Sequence, residues 1–273
     1  MITDWDDAYD NRGHIENAES YPARWASEAQ AFRNETVQSD RCVLDLAYGG
    51  GERERLDLFY PEGEPKGLVI FAHGGYWKAF DKSFWSHLAH GPVASGWAVC
   101  IPSYTLAPEA RISQITQQFG RAVELAASRI AGPIRLAGHS AGGHLVCRMI
   151  SETTPLKENV TRRIERVVSI SGVHDLRPLL QTQMNETLRL DDAEAAAESP
   201  ALLRPIAGPE ILCWVGAEEQ PEFLRQNDLL VNIWTGLGAF IHGVHAPERH
   251  HFNVVEDLAD PSSELTKALI GSA

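Results

Sequence analysis

Gly138-His139-Ser140-Ala141-Gly142 follows a strand-like run, Ile134-Arg135-Leu136-Ala137, and precedes a helix-like one over residues 143–150. Strand, Gly-x-Ser-x-Gly and helix in that order is the context of a nucleophile elbow. The turn is so sharp that the residues two places either side of the serine must be small if strand and helix are to pass closely, and glycines occupy both places. Such a turn is expected to expose the Ser140 hydroxyl at the helix N-terminus. There the Ala141 amide and the helix dipole would face negative charge developing on a bound carbonyl oxygen. The plainer alternative is a glycine-rich turn with no chemistry, so the rest of the chain has to decide.

The chain has 273 residues and no Pro/Gly/Ser-rich linker, which suits one domain over 1–273. Within it, residues 1–40 read as a polar and aromatic arm laid over the body, helix-like over 21–29. Strand patterns fall at 42–46 and 54–60, an opening hairpin, and then at 67–72, 97–102, 134–137, 166–171, 211–215 and 239–243. Helical patterns fall between or after them at 82–94, 113–130, 140–152, 221–233 and 262–270. This alternation predicts a mostly parallel sheet with helices on both faces and antiparallel strands at its start. Residues 177–203 interrupt the alternation and suit a small cap beside the C-terminal edge of the sheet.

A net charge of −13 would repel a phosphate backbone or an anionic membrane surface, which argues against nucleic acid as a partner. No apolar stretch approaches the roughly 18 residues needed to span a bilayer, and Asp4, Asp6 and Asp7 stand where a signal peptide carries base. Cys42, Cys100, Cys147 and Cys213 lie far apart, mostly inside apolar patterns, as small core hydrophobes do in a reducing compartment. A soluble, cytoplasmic protein is expected.

A nucleophilic serine needs a base, an acid to orient it, and donors for the oxyanion. On this topology the acid and then the histidine follow the serine in the chain. Downstream histidines are His144, His174, His242, His245, His250 and His251. His250 and His251 lie in a polar loop after the last strand pattern, and Phe252, a possible core anchor, favours His251. For the acid, the strand at 211–215 runs into Gly216-Ala217-Glu218-Glu219-Gln220, which places two carboxylates beyond a strand's C-terminal edge. Glu219 is the first choice, Glu218 its rival, and Asp175 a more distant one. Upstream, the strand at 67–72 enters His73-Gly74-Gly75-Tyr76-Trp77, whose backbone NH groups could complete an oxyanion site with Ala141. Trp77, Phe80 and Trp85 just beyond would wall an aromatic pocket, or else join the core.

His73-Gly74-Gly75-Tyr76-Trp77, Ser103-Tyr104-Thr105-Leu106-Ala107-Pro108, Gly138-His139-Ser140-Ala141-Gly142-Gly143-His144, Pro221-Glu222-Phe223 and His251-Phe252 together resemble the α/β-hydrolase esterases related to arylformamidase. The opening Trp5-Asp6-Asp7-Ala8-Tyr9-Asp10-Asn11-Arg12 is similar to that family's first segment as well. The resemblance spans nearly the whole chain and implies the α/β-hydrolase fold. It implies Ser140 as nucleophile, His251 as base because it precedes Phe252, and Glu219 as acid because it stands two residues before Pro221. It also implies Gly75, Tyr76 and Ala141 as the oxyanion donors. Such relatives usually carry aspartate where Glu219 stands.

The expected activity is hydrolysis of small carboxylic esters through an acyl-enzyme, with an aryl formamide such as N-formylkynurenine as the second substrate class. Neither a cofactor nor a metal is called for, and the expected partner is a small molecule. His242, His245 and His250 superficially resemble the histidine cluster of metal-dependent formamidases, but metal ligation needs three or four convergent ligands. A rival of another class is a non-catalytic binding module on a hydrolase scaffold.

Overall fold

The computed structural model describes residues 2–271. Eight strands make one sheet: β1 (Cys42–Ala47), β2 (Arg55–Phe59), β3 (Leu68–Ala72), β4 (Ala98–Pro102), β5 (Ile134–His139), β6 (Ile164–Ile170), β7 (Glu210–Gly216) and β8 (Ile241–Ala246). Their order is β1-β2-β4-β3-β5-β6-β7-β8, with β1, β2 and β4 paired antiparallel and all later pairs parallel. This is the expected mostly parallel sheet with an antiparallel start.

Alternation along each strand sorts side chains onto two cores. From β3, Leu68, Ile70 and Ala72 join the core on one face, while Val69 and Phe71 join the other. The first face is covered by the helices Ile112–Arg129, Ala141–Arg148 and Pro221–Gly236. In the first of these, Ile112, Ile115, Thr116, Phe119, Ala122, Val123 and Ala126 form the buried stripe that helical periodicity requires. The opposite face is covered by the arm helix Tyr21–Gln38 and the helix Glu264–Ile270, which contribute Trp25, Phe32, Leu265 and Leu269. Among the described residues, no helix is long and apolar enough to cross a membrane.

Three elements depart from the sequence pattern. Residues 82–94 do not form one helix but two 3-10 turns, Lys82–Phe84 and Ser86–Ala89, and a short helix, His90–Ala94. Trp85, at φ −122°, breaks the first from the second, and Pro92 lacks the amide that a longer helix would need. The elbow helix stops at Arg148, because the following residues turn to meet the 204–206 segment, where Glu152 donates to the Arg204 carbonyl and Ile206 to that of Ile150. β8 runs to Ala246 rather than ending at 243, since its exposed His242, Gly243 and His245 carry no apolar signal. The 177–203 segment folds as short helical pieces, Arg177–Gln181, Asn185–Leu188, Asp192–Ala197 and Pro200–Leu202.

The elbow is packed to contact distance. A Cβ on Gly142 would lie 1.9 Å from the Ala72 carbonyl oxygen, and one on Gly138 would lie 2.1 Å from that of Gly142. Both obstacles are backbone atoms, so no side-chain rotation relieves them. Around this region lie histidines with no room for charge. Burial pushes His73 down to about 4, and His144 and His174 to about 3, from the ordinary value of 6.5.

Gly142→Ala should cost about 3 kcal/mol or more of stability, read as a lowered urea midpoint, because it overpacks two backbones. A midpoint within error of wild type would contradict the packing described. The histidines predict acid lability with a defined sign. Their folded-state values are depressed, so below pH 6.5 the unfolded chain takes up protons that the folded chain refuses, and stability falls as pH drops toward 4 and 3. At roughly 1.4 kcal/mol per pH unit for each group, the loss by pH 4.5 should reach several kcal/mol. Scanning calorimetry between pH 7 and 4.5 should show Tm falling steeply, and a flat Tm would count against it.

Candidate active site

Ser140 terminates β5 with φ 56° and ψ −114°, a conformation that a non-glycine residue adopts only when its surroundings impose it. Its amide donates to the Ile170 carbonyl at 2.8 Å, which ties the elbow to the end of β6. The residue is not openly exposed, as the turn alone had suggested. It is 2% exposed and borders a cavity of about 420 Å³, because the arm and the loop after β3 roof the elbow over.

Among the candidate acids, Glu219 is the one that meets an imidazole. Its Oε2 accepts from His251 Nδ1 at 2.6 Å, and its Oε1 accepts from the Gly216 amide at 2.8 Å and from the Ser171 hydroxyl. Both side chains are almost wholly buried. The turn after β7 makes this possible, since the Glu219 amide donates back to the Gly216 carbonyl at 3.1 Å and curls the carboxylate under the strand end. Glu218 points outward on the same turn. Asp175 is engaged elsewhere, by the Arg177 guanidinium at 2.9 Å. Ser171 was not anticipated, and its only sequence signal is its place just after β6.

His251 also borders the cavity that Ser140 borders. Its ring is held between His139, at 4.7 Å between centroids, and Phe223, at 4.3 Å. Its carbonyl accepts from His139 Nε2 at 2.8 Å. Burial, and next the adjacent His251, hold His139 well below its ordinary value, so it serves as a neutral donor. In a neutral imidazole that donates Nδ1–H to Glu219, Nε2 is the nitrogen left to accept. His250, the other candidate, is turned away, with Nε2 3.1 Å from the Tyr21 hydroxyl.

The loop after β3 lies against the elbow. A Cβ on Gly74 would stand 3.2 Å from that of Ser140. Gly75, Tyr76 and Trp77 follow with φ of 108°, 48° and 54°, and the Gly75 carbonyl accepts from the amides of Lys78 and Ala79 at 3.0 Å. Among the described residues, the amides of Gly75, Tyr76 and Ala141 meet no protein acceptor. His73 braces the loop from below, with its ring stacked 4.5 Å from that of Tyr104, whose hydroxyl donates to the His73 carbonyl at 3.0 Å.

Phe80 and Trp85 line the cavity, and Trp77 does not. The chain reverses at Tyr76 and Trp77, and the Trp77 indole is fully buried, edge-on to His144 at 5.1 Å. In its place the arm supplies Tyr9 and Trp25, and the loop after β8 supplies Phe252. Trp25 packs 4.7 Å from Trp85. Its spacing with Ala29, Phe32 and Thr36 on one buried helix face was the available signal. Asp6, Asp10, Arg12 and Lys78 bring both signs of charge to the same cavity. The other histidines do not converge: His242 faces outward, and His245 pairs with Asp228 at 2.7 Å. Among the described residues, no three His, Cys, Asp or Glu side chains are grouped to hold a metal ion.

The sequence pattern of the α/β hydrolase fold matches residues 69–204. Kynurenine formamidase of Danio rerio is 32% identical, over 91% of this chain and 92% of its own length, and that of Salmo salar is 33% identical over 84% and 81%. A solved structure from Silicibacter sp. TM1040, described as a candidate thioesterase, shares 52% identity and a TM-score of 0.94, covering 98% of this chain and 99% of its own. An esterase of Pyrobaculum calidifontis shares the fold, with a TM-score of 0.67 at 15% identity over 92% and 91%. Taken with the elbow and the sheet behind it, these likenesses place the chain among the arylformamidase-related α/β-hydrolases, and it is a hydrolase of that family.

Proposed function

We propose that the protein is a serine hydrolase that removes a small acyl group from an aromatic carrier by way of an acyl-enzyme. The observation that carries this reading is the buried His251–Glu219 hydrogen bond of 2.6 Å, set beside a strained serine at the same aromatic cavity. Ser140 Oγ attacks the carbonyl carbon while its proton passes to His251 Nε2, and Glu219 stabilises the imidazolium. The amides of Gly75, Tyr76 and Ala141 hold the tetrahedral oxyanion. Collapse expels the alcohol or amine, which leaves with the proton from Nε2, and water then repeats the sequence to release the acid and restore Ser140. In this reading the 1–40 arm and the 177–203 segment are parts of one domain that close the cavity.

For the substrate we favour an aryl formamide of the N-formylkynurenine type. Two relatives that share about a third of their residues with this chain are kynurenine formamidases, and the cavity joins aromatic walls to charges of both signs. Hydrolysis of short esters or thioesters is the second reading, favoured by the candidate thioesterase at 52% identity. The same serine chemistry serves either class.

Ser140→Ala should lower kcat by about 10³-fold or more without changing the unfolding transition, and a fluorophosphonate probe should label Ser140. Retention of more than about a tenth of wild-type turnover would remove the mechanism. Glu219→Gln should leave the fold intact and cut kcat by about 10² to 10⁴-fold, since an amide can present the wrong partner to Nδ1. On substrate class, kcat/KM for N-formylkynurenine should exceed that for p-nitrophenyl acetate by about tenfold or more, and the reverse ratio would favour the ester reading.

A further inference from the structure

The amides placed around the oxyanion position include that of Tyr76, a non-glycine residue at φ 48° between Gly75 at 108° and Trp77 at 54°. Left-handed backbone at a bulky residue is disfavoured and persists only where neighbours over-determine it. Here the neighbours belong to the N-terminal arm. The Tyr76 hydroxyl donates to the Tyr9 carbonyl at 2.7 Å and accepts from Asn11 Nδ2 at 3.3 Å. Tyr9 is itself pinned. Its hydroxyl donates to Glu222 Oε1 at 2.7 Å and accepts from Gln226 Nε2 at 3.0 Å. The Glu222 carboxylate, fully buried, accepts in turn from Nε and Nη2 of Arg225, each at 2.7 Å. Burial, followed by the nearby carboxylates, keeps both phenols protonated and hence able to donate.

The ring of Tyr9 has a second set of neighbours. It meets Tyr76 edge-on at 6.5 Å and Phe223 edge-on at 5.9 Å, and Phe223 in turn lies 4.3 Å from the His251 ring. One arm residue therefore stands between the loop that carries the oxyanion amides and the residue that backs the imidazole.

We infer that Tyr9 and Asn11 are positioning residues, which set the direction of the Tyr76 amide by gripping the Tyr76 side chain, so that the arm is part of the oxyanion site and more than a cover for it. This rests on the serine-hydrolase reading above. A wall that only shaped the cavity would influence how well the substrate binds. A clamp on an oxyanion donor acts where charge develops, and so acts on the transition state.

Tyr76→Phe tests the distinction, because it removes the hydroxyl and leaves the amide. Active-site titration with a fluorophosphonate first normalises every rate to the folded, competent fraction. The expected result is kcat lowered about tenfold, KM within twofold of wild type, and affinity for a trifluoromethyl ketone, whose serine adduct carries the oxyanion, lowered by about the same factor as kcat. That is less than the roughly 100-fold expected from losing a donor outright. Asn11→Ala should show the same split at smaller size, and the double variant should fall short of the product of the two, since both act through one hydroxyl. An unchanged kcat and ketone affinity in Tyr76→Phe, with Ser140→Ala inactive, would overturn the clamp and leave the hydrolase reading standing. A rise in KM alone would also overturn it, by assigning the arm to substrate binding. Activity retained in Ser140→Ala would overturn both.

Discussion

The contact between the elbow helix and β3 sets the rest of the site. Gly142 rides so close to Ala72 that nothing larger than hydrogen fits between them. That closeness lifts Ser140 out of the strand, into a backbone conformation stabilised by its hydrogen bond to the end of β6. It also brings the loop after β3, with Gly75 and Tyr76, against the serine. The strain at one residue is thus offset by two close-packed backbones and a sheet hydrogen bond, in the manner of functional turns generally.

The acid side of the site is built on the same principle of several weak constraints acting on one group. The Glu219 carboxylate takes donors from a strand end, a serine and an imidazole. Burying a carboxylate is costly unless its oxygens are satisfied, and three donors on two oxygens do that. The extra methylene relative to aspartate is absorbed by the tight turn that draws Glu219 back toward Gly216.

Much of this was legible in the sequence for a simple reason. Buried parallel strands are short apolar runs, and all eight strands were found within a few residues of their expected places. The elbow was legible because two glycines at fixed offsets have few other causes. What escaped depends on direction rather than identity. Adjacent residues Glu218 and Glu219 have the same chemistry, and only the turn geometry after β7 decides which side chain goes inward. The same holds for His250 and His251 in their loop. Trp77 takes the core side of the two alternatives because a chain reversal with consecutive positive φ values turns it inward, and local polarity does not record such a reversal. The contribution of the arm is only partly legible: the spacing of Trp25, Ala29, Phe32 and Thr36 marks a buried helix face, but Tyr9 and Trp25 meet partners far away in the chain, and no local pattern records which ones.

That distance has a consequence for folding. Tyr9 bonds to a residue 213 positions further along the chain, and a contact that closes so long a loop is among the entropically costlier ones to form. The wall that Tyr9 supplies therefore depends on the helix Pro221–Gly236 as much as on the arm itself. A change that loosens that helix would release the arm as well, and open the chamber from a side the helix does not itself line.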